Sequence, residues 1–170
     1  VVFPEGVNEK ILRASQIIVD EGIAHPILLG KEDVIRHAAK ELDIDLEGVE
    51  IVHPATSPNF DSYVQTYYEL RQRKGATFHE AVQQMRNHNY YGSMMVHRGH
   101  ADALIAGVTQ NYADTIRPAL QIIKAAKGKK YDEMHVDGGA STQVFFYGFM
   151  LDLPAAAKEA GATTRSPIRI

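Results

Sequence analysis

Along most of the chain, short continuous apolar runs alternate with stretches whose apolar positions recur at helical spacing. Residues 1–3 are a β-branched and aromatic run closed by Pro4 and Gly6, the pattern of a first buried strand. Asn8 is placed to cap a helix reaching about residue 21, with Ile11, Leu12, Ala14, Ile17 and Ile18 as its apolar stripe and Gly22 as its stop. Residues 26–30, PILLG, are apolar without alternation, as in a strand covered on both faces of a parallel sheet. A second helix is expected over 33–42 and a third strand over 49–52. This alternation predicts an α/β fold, a three-layer, doubly wound, mostly parallel sheet, and right-handed crossovers narrow its topology.

The stretch PATSPN, 54–59, is punctuation, and a helix over 61–73 follows, carrying Tyr63, Val64, Tyr67 and Leu70 up to Gly75. Thr77 and Glu80 form a Thr-x-x-Glu capping box for the next helix, which runs through Met85. Helical spacing resumes over 90–98 and ends at Gly99; Met94, Met95, Tyr90 and Tyr91 read there as packing residues. Residues 101–106, ADALIA, read as a buried strand ending at Gly107, and after the turn VTQNYAD a helix is expected over 115–126. The basic cluster KGKK, 127–130, marks a junction. Beyond it, EMHV, a Asp137-Gly138-Gly139 turn, QVFFY and 154–160 suggest strand, turn, strand and helix. The chain starts at Val1 rather than a methionine and stops in the strand-like SPIRI, so both ends read as cut.

Composition narrows the function classes. With 170 residues, 45% hydrophobic and 23% charged, the chain suits one domain or one and a fragment of a second, not wholesale disorder. No apolar run is long enough to cross a bilayer, and VVFPEG lacks the features of a secretion signal, so a cytoplasmic protein without a membrane partner is expected. A net charge of −3 gives no reason to expect nucleic acid. The absence of cysteine excludes disulfides, thiolate-bound zinc and a thiol nucleophile.

The most informative pattern is the strand, turn and helix from ADALIAG through VTQNYAD to TIRPALQII. Ligands of open parallel sheets bind beyond the carboxyl ends of the strands. With Asp114 or Thr115 as cap, Arg117 would lie in the first turn, where a cation opposes the helix dipole unless an anion lies in front of it. Pro118 would be tolerated there because its missing N–H belongs to the early unpaired donors. The alternative for Arg117 is a solvated or salt-bridged side chain. In ELRQRKG, three basic residues crowd a helix end, which dipole interaction and solvation explain; Arg71, one position after Leu70, is the one expected to turn partly inward. His97 and His100 read as surface histidines rather than a metal pair, and no metal site is expected. Signatures for nucleotide triphosphates, dinucleotides, zinc proteases and serine elbows are absent from the sequence.

Several of these segments together carry a resemblance. FPEG with NEKILRA, EGIAHPILLG, ELRQRKGAT, NYYGSMMVHRGHADALIAG and DTIRPALQIIK occur in the order found in the amino-terminal domain of phosphotransacetylases, so residues 1–127 resemble one lobe of the phosphate acetyl/butyryltransferase family. The resemblance implies a two-lobed α/β enzyme, usually a homodimer, that binds coenzyme A and phosphate between its lobes. Such an enzyme exchanges acetyl-CoA and phosphate for acetyl phosphate and CoA, with no covalently bound cofactor. It assigns Arg71 and Arg117 to the phosphate and coenzyme A end of the site, with Thr109 of the intervening turn. The second lobe, with the serine and acidic residue it contributes, is not in this sequence, so the chain is expected to be inactive alone. An exposed sheet edge is then expected to promote self-association.

The turn Thr109-Gln110-Asn111-Tyr112-Ala113 is similar to the phosphotransacetylase-like domain of hybrid NADP-dependent malic enzymes, which implies acetyl-CoA sensing as an alternative to turnover. Residues 128–170 read as a junction and a second piece, in which YDEMHVDGGASTQVFFY from 131 onward resembles the carboxyl-terminal part of patatin-like phospholipases. That resemblance implies Asp137 as the partner of a nucleophilic serine, and so, as a further alternative, the remnant of a lipid acyl hydrolase. A tight DGG turn is the competing reading of Asp137.

Overall fold

The computed structural model describes residues 1–124 and the backbone of Phe145–Phe146. Four short strands, β1 (Val2–Phe3), β2 (Ile27–Leu29), β3 (Glu50–Val52) and β4 (Ile105–Ala106), alternate with the helices that cover them. Strands β1, β2 and β3 pair in parallel, with Val2 opposite Ile27 and Ile27 opposite Glu50. On the other side of β1, Val2 bridges Leu104 in parallel, and its N–H donates to the Ala103 carbonyl at 2.8 Å. The spatial order is therefore β3-β2-β1-β4, and the chain reverses its direction of travel across the sheet between β1 and β4. Beyond β4, Phe145–Phe146 (β5) pairs antiparallel with Ile105–Ala106, inside the stretch expected to be a strand.

Strand alternation divides the core between two faces. Phe3 and Leu28 point toward α1 (Glu9–Asp20) and α2 (Glu32–Glu41), meeting Ile11, Leu12, Ile35 and Ala39. Val2, Ile27 and Leu29 point the other way, into a cluster with Tyr63, Tyr67, Met85, Tyr91, Met94 and Ile122. These residues come from α3 (Phe60–Arg71), α4 (Phe78–Arg86), α5 (His88–His97) and α6 (Tyr112–Ile122). Two apolar faces on one parallel sheet make the expected three layers. Each fully buried Leu or Met among them contributes about 1.5–3 kcal/mol.

Local signals set most helix boundaries. Asn8 accepts from the Lys10 N–H, and Thr77 and Glu80 complete both halves of their capping box. Asn87 closes α4 and caps α5 at once, with its Oδ1 accepting from the N–H groups of Asn89 and Tyr90. Gly92 lets α5 lie close to the sheet, since a Cβ there would stand 2.9 Å from Leu104 Cδ1. Three expectations need correction. Ile17 is 53% exposed, because it lies away from the Ile11 and Ser15 face of α1. The strand expected over 101–106 is regular only at Ile105–Ala106. The last helix begins at Tyr112 and ends at Ile122, not over 115–126, with Lys124 in a left-handed conformation at φ 68°. Among the described residues no helix is long and apolar enough to cross a membrane.

Candidate functional site

The crevice between the carboxyl ends of β1 and β4 is where a sheet of this order offers a ligand site. Gly107, at φ 103°, turns the chain there in a conformation that side chains disfavour. The turn that follows closes on Glu5, just past the end of β1. The backbone N–H groups of Gly107, Val108 and Thr109 donate to its carboxylate at 2.9, 2.9 and 2.6 Å, and the Thr109 hydroxyl donates at 2.5 Å. Burial opposes charge on Glu5, but the Thr109 hydroxyl and the backbone donors outweigh it and hold the carboxyl below its ordinary range. Thr109 is thus already engaged by a carboxylate of the chain itself.

Beyond the turn, Asn111 caps α6, its Oδ1 accepting from the Asp114 N–H at 3.0 Å and its Nδ2 donating to Asp114 Oδ2 at 2.6 Å. The cap expected at Asp114 or Thr115 is therefore displaced by one turn. Tyr112, not Thr115, opens the helix, and Arg117 sits in its second turn. The dipole falls off within the first turn, so the field argument for an anion at Arg117 does not hold. Pro118 lies inside the helix, where it cannot donate to the Asp114 carbonyl. Buried Asn89 of α5 supplies the replacement: its Nδ2 donates to that carbonyl at 3.1 Å and also to Gln110 Oε1.

Arg117 is exposed on α6. Arg71, the last residue of α3, is half-buried, whereas Arg73 and Lys74 beyond it are exposed. Burial pushes the Tyr90 hydroxyl up in pKa, Asp114 acting in the same sense, while the Arg117 and Arg71 charges pull it down. Tyr90 and Tyr67 meet edge to face at 5.7 Å, and both hydroxyls donate to Gln121 Oε1, at 3.2 and 2.8 Å. The Tyr67 hydroxyl is pushed up to about 12 by burial and by Tyr90, with the Arg71 guanidinium acting in the opposite sense. None of the ion pairs among the described residues includes Arg71 or Arg117. Both guanidinium charges thus act on one hydroxyl, and planar guanidinium forks suit anions with several oxygens.

Comparison with known proteins agrees with the segments that carry the resemblance. The phosphate acetyl/butaryl transferase family matches residues 1–133. The chain belongs to this family. It is 45% identical over 130 residues to the phosphate acetyltransferase of Thermoanaerobacterium thermosaccharolyticum, covering 76% of this chain and 39% of that protein. To the phosphate acetyltransferase of Helicobacter pylori it is 39% identical over 154 residues, 91% of this chain and 30% of that protein. Among solved structures, a phosphotransacetylase from Streptococcus pyogenes superposes with a TM-score of 0.72 at 36% identity, covering 76% of this chain and 39% of that one. The EutD phosphotransacetylase from Staphylococcus aureus gives a TM-score of 0.70 at 37% identity, with the same coverage of 76% and 39%. The chain therefore spans well under half the length of these relatives.

Within this family lobe, the remaining candidates lie apart from the arginines. Asp137 falls outside the described residues. His97 and His100 are exposed, and no group of metal-binding side chains occurs among the described residues. His100 instead pairs through Nδ1 with the Tyr63 hydroxyl at 2.5 Å. A cleft of about 1030 Å³ opens beyond β2 and β3, lined by Lys31, Arg36, His53, Ser57, Tyr91 and His100 among others. It contains none of Arg71, Arg117 and Thr109, and its acids, Glu32, Asp33 and Glu50, mix with its bases. Sequence reading missed Glu5, Asn89 and Gln121. Only Pro118 gave a signal: a proline inside a helix leaves a carbonyl needing a donor.

Proposed function

We propose that this lobe supplies the anion-holding half of a phosphate acyltransferase site, binding phosphate between Arg71 and Arg117 with coenzyme A alongside. The reading is supported by two arginine charges, Arg71 and Arg117, that act on the same Tyr90 hydroxyl and enter no ion pair among the described residues. In the reaction, a phosphate oxygen attacks the thioester carbonyl of acetyl-CoA, a C–O bond forms, the C–S bond breaks, and CoA leaves as the thiol after taking up a proton. Phosphate attacks poorly while its charge is dispersed in water. Two fixed guanidinium groups neutralise the dianion and aim one oxygen at the carbonyl, which is catalysis by positioning and charge stabilisation. Thr109 supports the turn beside the pair.

The second lobe of the family would bring the serine and acidic residue across the cleft and complete the enzyme as a homodimer. The 170-residue chain should bind phosphate without releasing CoA thiol from acetyl-CoA. Calorimetry with inorganic phosphate and a thiol-release assay test this together. Binding that Arg117→Ala weakens at least about tenfold is expected; wild-type binding left intact by that substitution would refute the site, and thiol release would refute its incompleteness. The turn of residues 109–113 favours a second reading, a domain that senses acetyl-CoA in an NADP-dependent malic enzyme. Under that reading acetyl-CoA binds without turnover even when the second lobe is supplied. Asp137 and a link to lipid acyl hydrolysis gain no support from the described residues; labelling by a fluorophosphonate serine probe would be needed to restore them.

A further inference from the structure

The carboxylate of Glu5 occupies the ring of donors that the β1/β4 crevice would otherwise offer to a ligand. We propose that Glu5 is a positioning residue of the anion site, a built-in anion that fixes the turn after β4 and with it the start of α6, the helix that carries Arg117. This rests on the anion reading above.

Three consecutive N–H groups and one hydroxyl converge on a single side chain that lies 102 to 104 positions away in sequence. Such a contact fixes the path of the turn in a way no local signal could. Glu5 itself is held: the carbonyl of Pro4, its neighbour, pairs with His88 Nδ1 at 2.9 Å at the start of α5. The far side of the turn is also tied to α5, through Asn89 Nδ2 to Gln110 and to the Asp114 carbonyl. Asn111, two residues after Thr109, then caps the helix that carries Arg117. Strand β1, the turn and the origin of α6 therefore form one framework, with Glu5 the only charged side chain among the described residues bonded to the N–H groups of Gly107, Val108 and Thr109. Because the ring is filled from within, an incoming phosphate is left to the guanidinium groups outside it.

Charge alone and positioning predict opposite signs for one substitution. If Glu5 acted only through its field, Glu5→Gln would remove a negative charge near an anion site and tighten phosphate. If Glu5 positions the turn, the amide replaces an acceptor that took four donors, the turn loosens, and phosphate binds more weakly.

The test uses the 170-residue chain, calorimetry with inorganic phosphate, and amide hydrogen exchange. Glu5→Gln should speed exchange at Gly107, Val108 and Thr109 at least about tenfold while β2 amides keep their protection. It should also weaken phosphate by at least about threefold. Thr109→Val, which removes the hydroxyl contact alone, should move both readouts the same way by less, and it decides the matter if Glu5→Gln does not fold. Unchanged exchange at the three amides, or phosphate bound equally or more tightly, would overturn the proposal. A wild-type chain that does not respond to phosphate would instead overturn the anion reading, and this proposal with it.

Discussion

The pairing of Pro118 with Asn89 gives a quantitative test of how α6 is held. Asn89 is 1% exposed, and its Nδ2 donates to the carbonyl that Pro118 leaves without its intrahelical partner. Asn89→Ala removes that donor and the one to Gln110. A buried carbonyl stripped of its partner costs about 1–3 kcal/mol, an upper bound for this part-buried one. The loss is offset in part because Asn89 Oδ1 has no hydrogen-bond partner among the described residues and its burial cost vanishes with it. A net loss of about 1–2 kcal/mol is expected. In a Pro118→Ala background, the new N–H at position 118 can bond to Asp114, so the same Asn89 substitution should cost about 1 kcal/mol less. Urea unfolding of the four proteins gives the coupling directly. Additivity to within about 0.3 kcal/mol would show that Asn89 does not substitute for the missing helix bond.

Two further outcomes follow from the same geometry. The Glu5 carboxyl has a folded pKa below its ordinary 4.5, so the folded state binds fewer protons than the unfolded chain as pH falls. Its contribution is present above pH 4.5 and is lost as pH drops through the lower folded value; Glu5→Gln should remove this part of the acid sensitivity in a pH series of urea midpoints, and a slope identical to the wild type's would contradict it. Gly92→Val places methyl groups where Leu104, Leu29 and Val2 already close on α5, and should cost about 1–3 kcal/mol, read as a lowered Tm; an unchanged Tm would mean that α5 is less tightly packed on the sheet than described.

What the sequence disclosed was local. Asn8, Thr77 with Glu80, and the unbroken apolar run of PILLG act over a few residues, and each appears where its chemistry required. The start of α6 was misplaced because two cap-competent stretches overlap: Asn111 and Asp114 both have the right side chain, and the turn fixed by Glu5 selects Asn111. That choice depends on a contact across 104 positions, which no periodicity contains. The dipole reading of Arg117 fails because the helix starts at Tyr112, a turn earlier than the sequence suggests. The Arg117 charge acts with that of Arg71 on Tyr90, whose hydroxyl shares Gln121 with Tyr67 where α3, α5 and α6 pack. Arg71 was separated from Arg73 and Lys74 by its adjacency to Leu70, and it is the half-buried one of the three.

The most direct measurement is a phosphate titration of the chain followed through the Nε–Hε resonances of Arg71 and Arg117, assigned by single substitution. A shared site predicts that both resonances shift together with one dissociation constant, and that Arg71→Lys weakens the response at Arg117 although that residue is untouched. Resonances that stay fixed, or that move with unrelated constants, would show that the two guanidinium groups do not hold one anion.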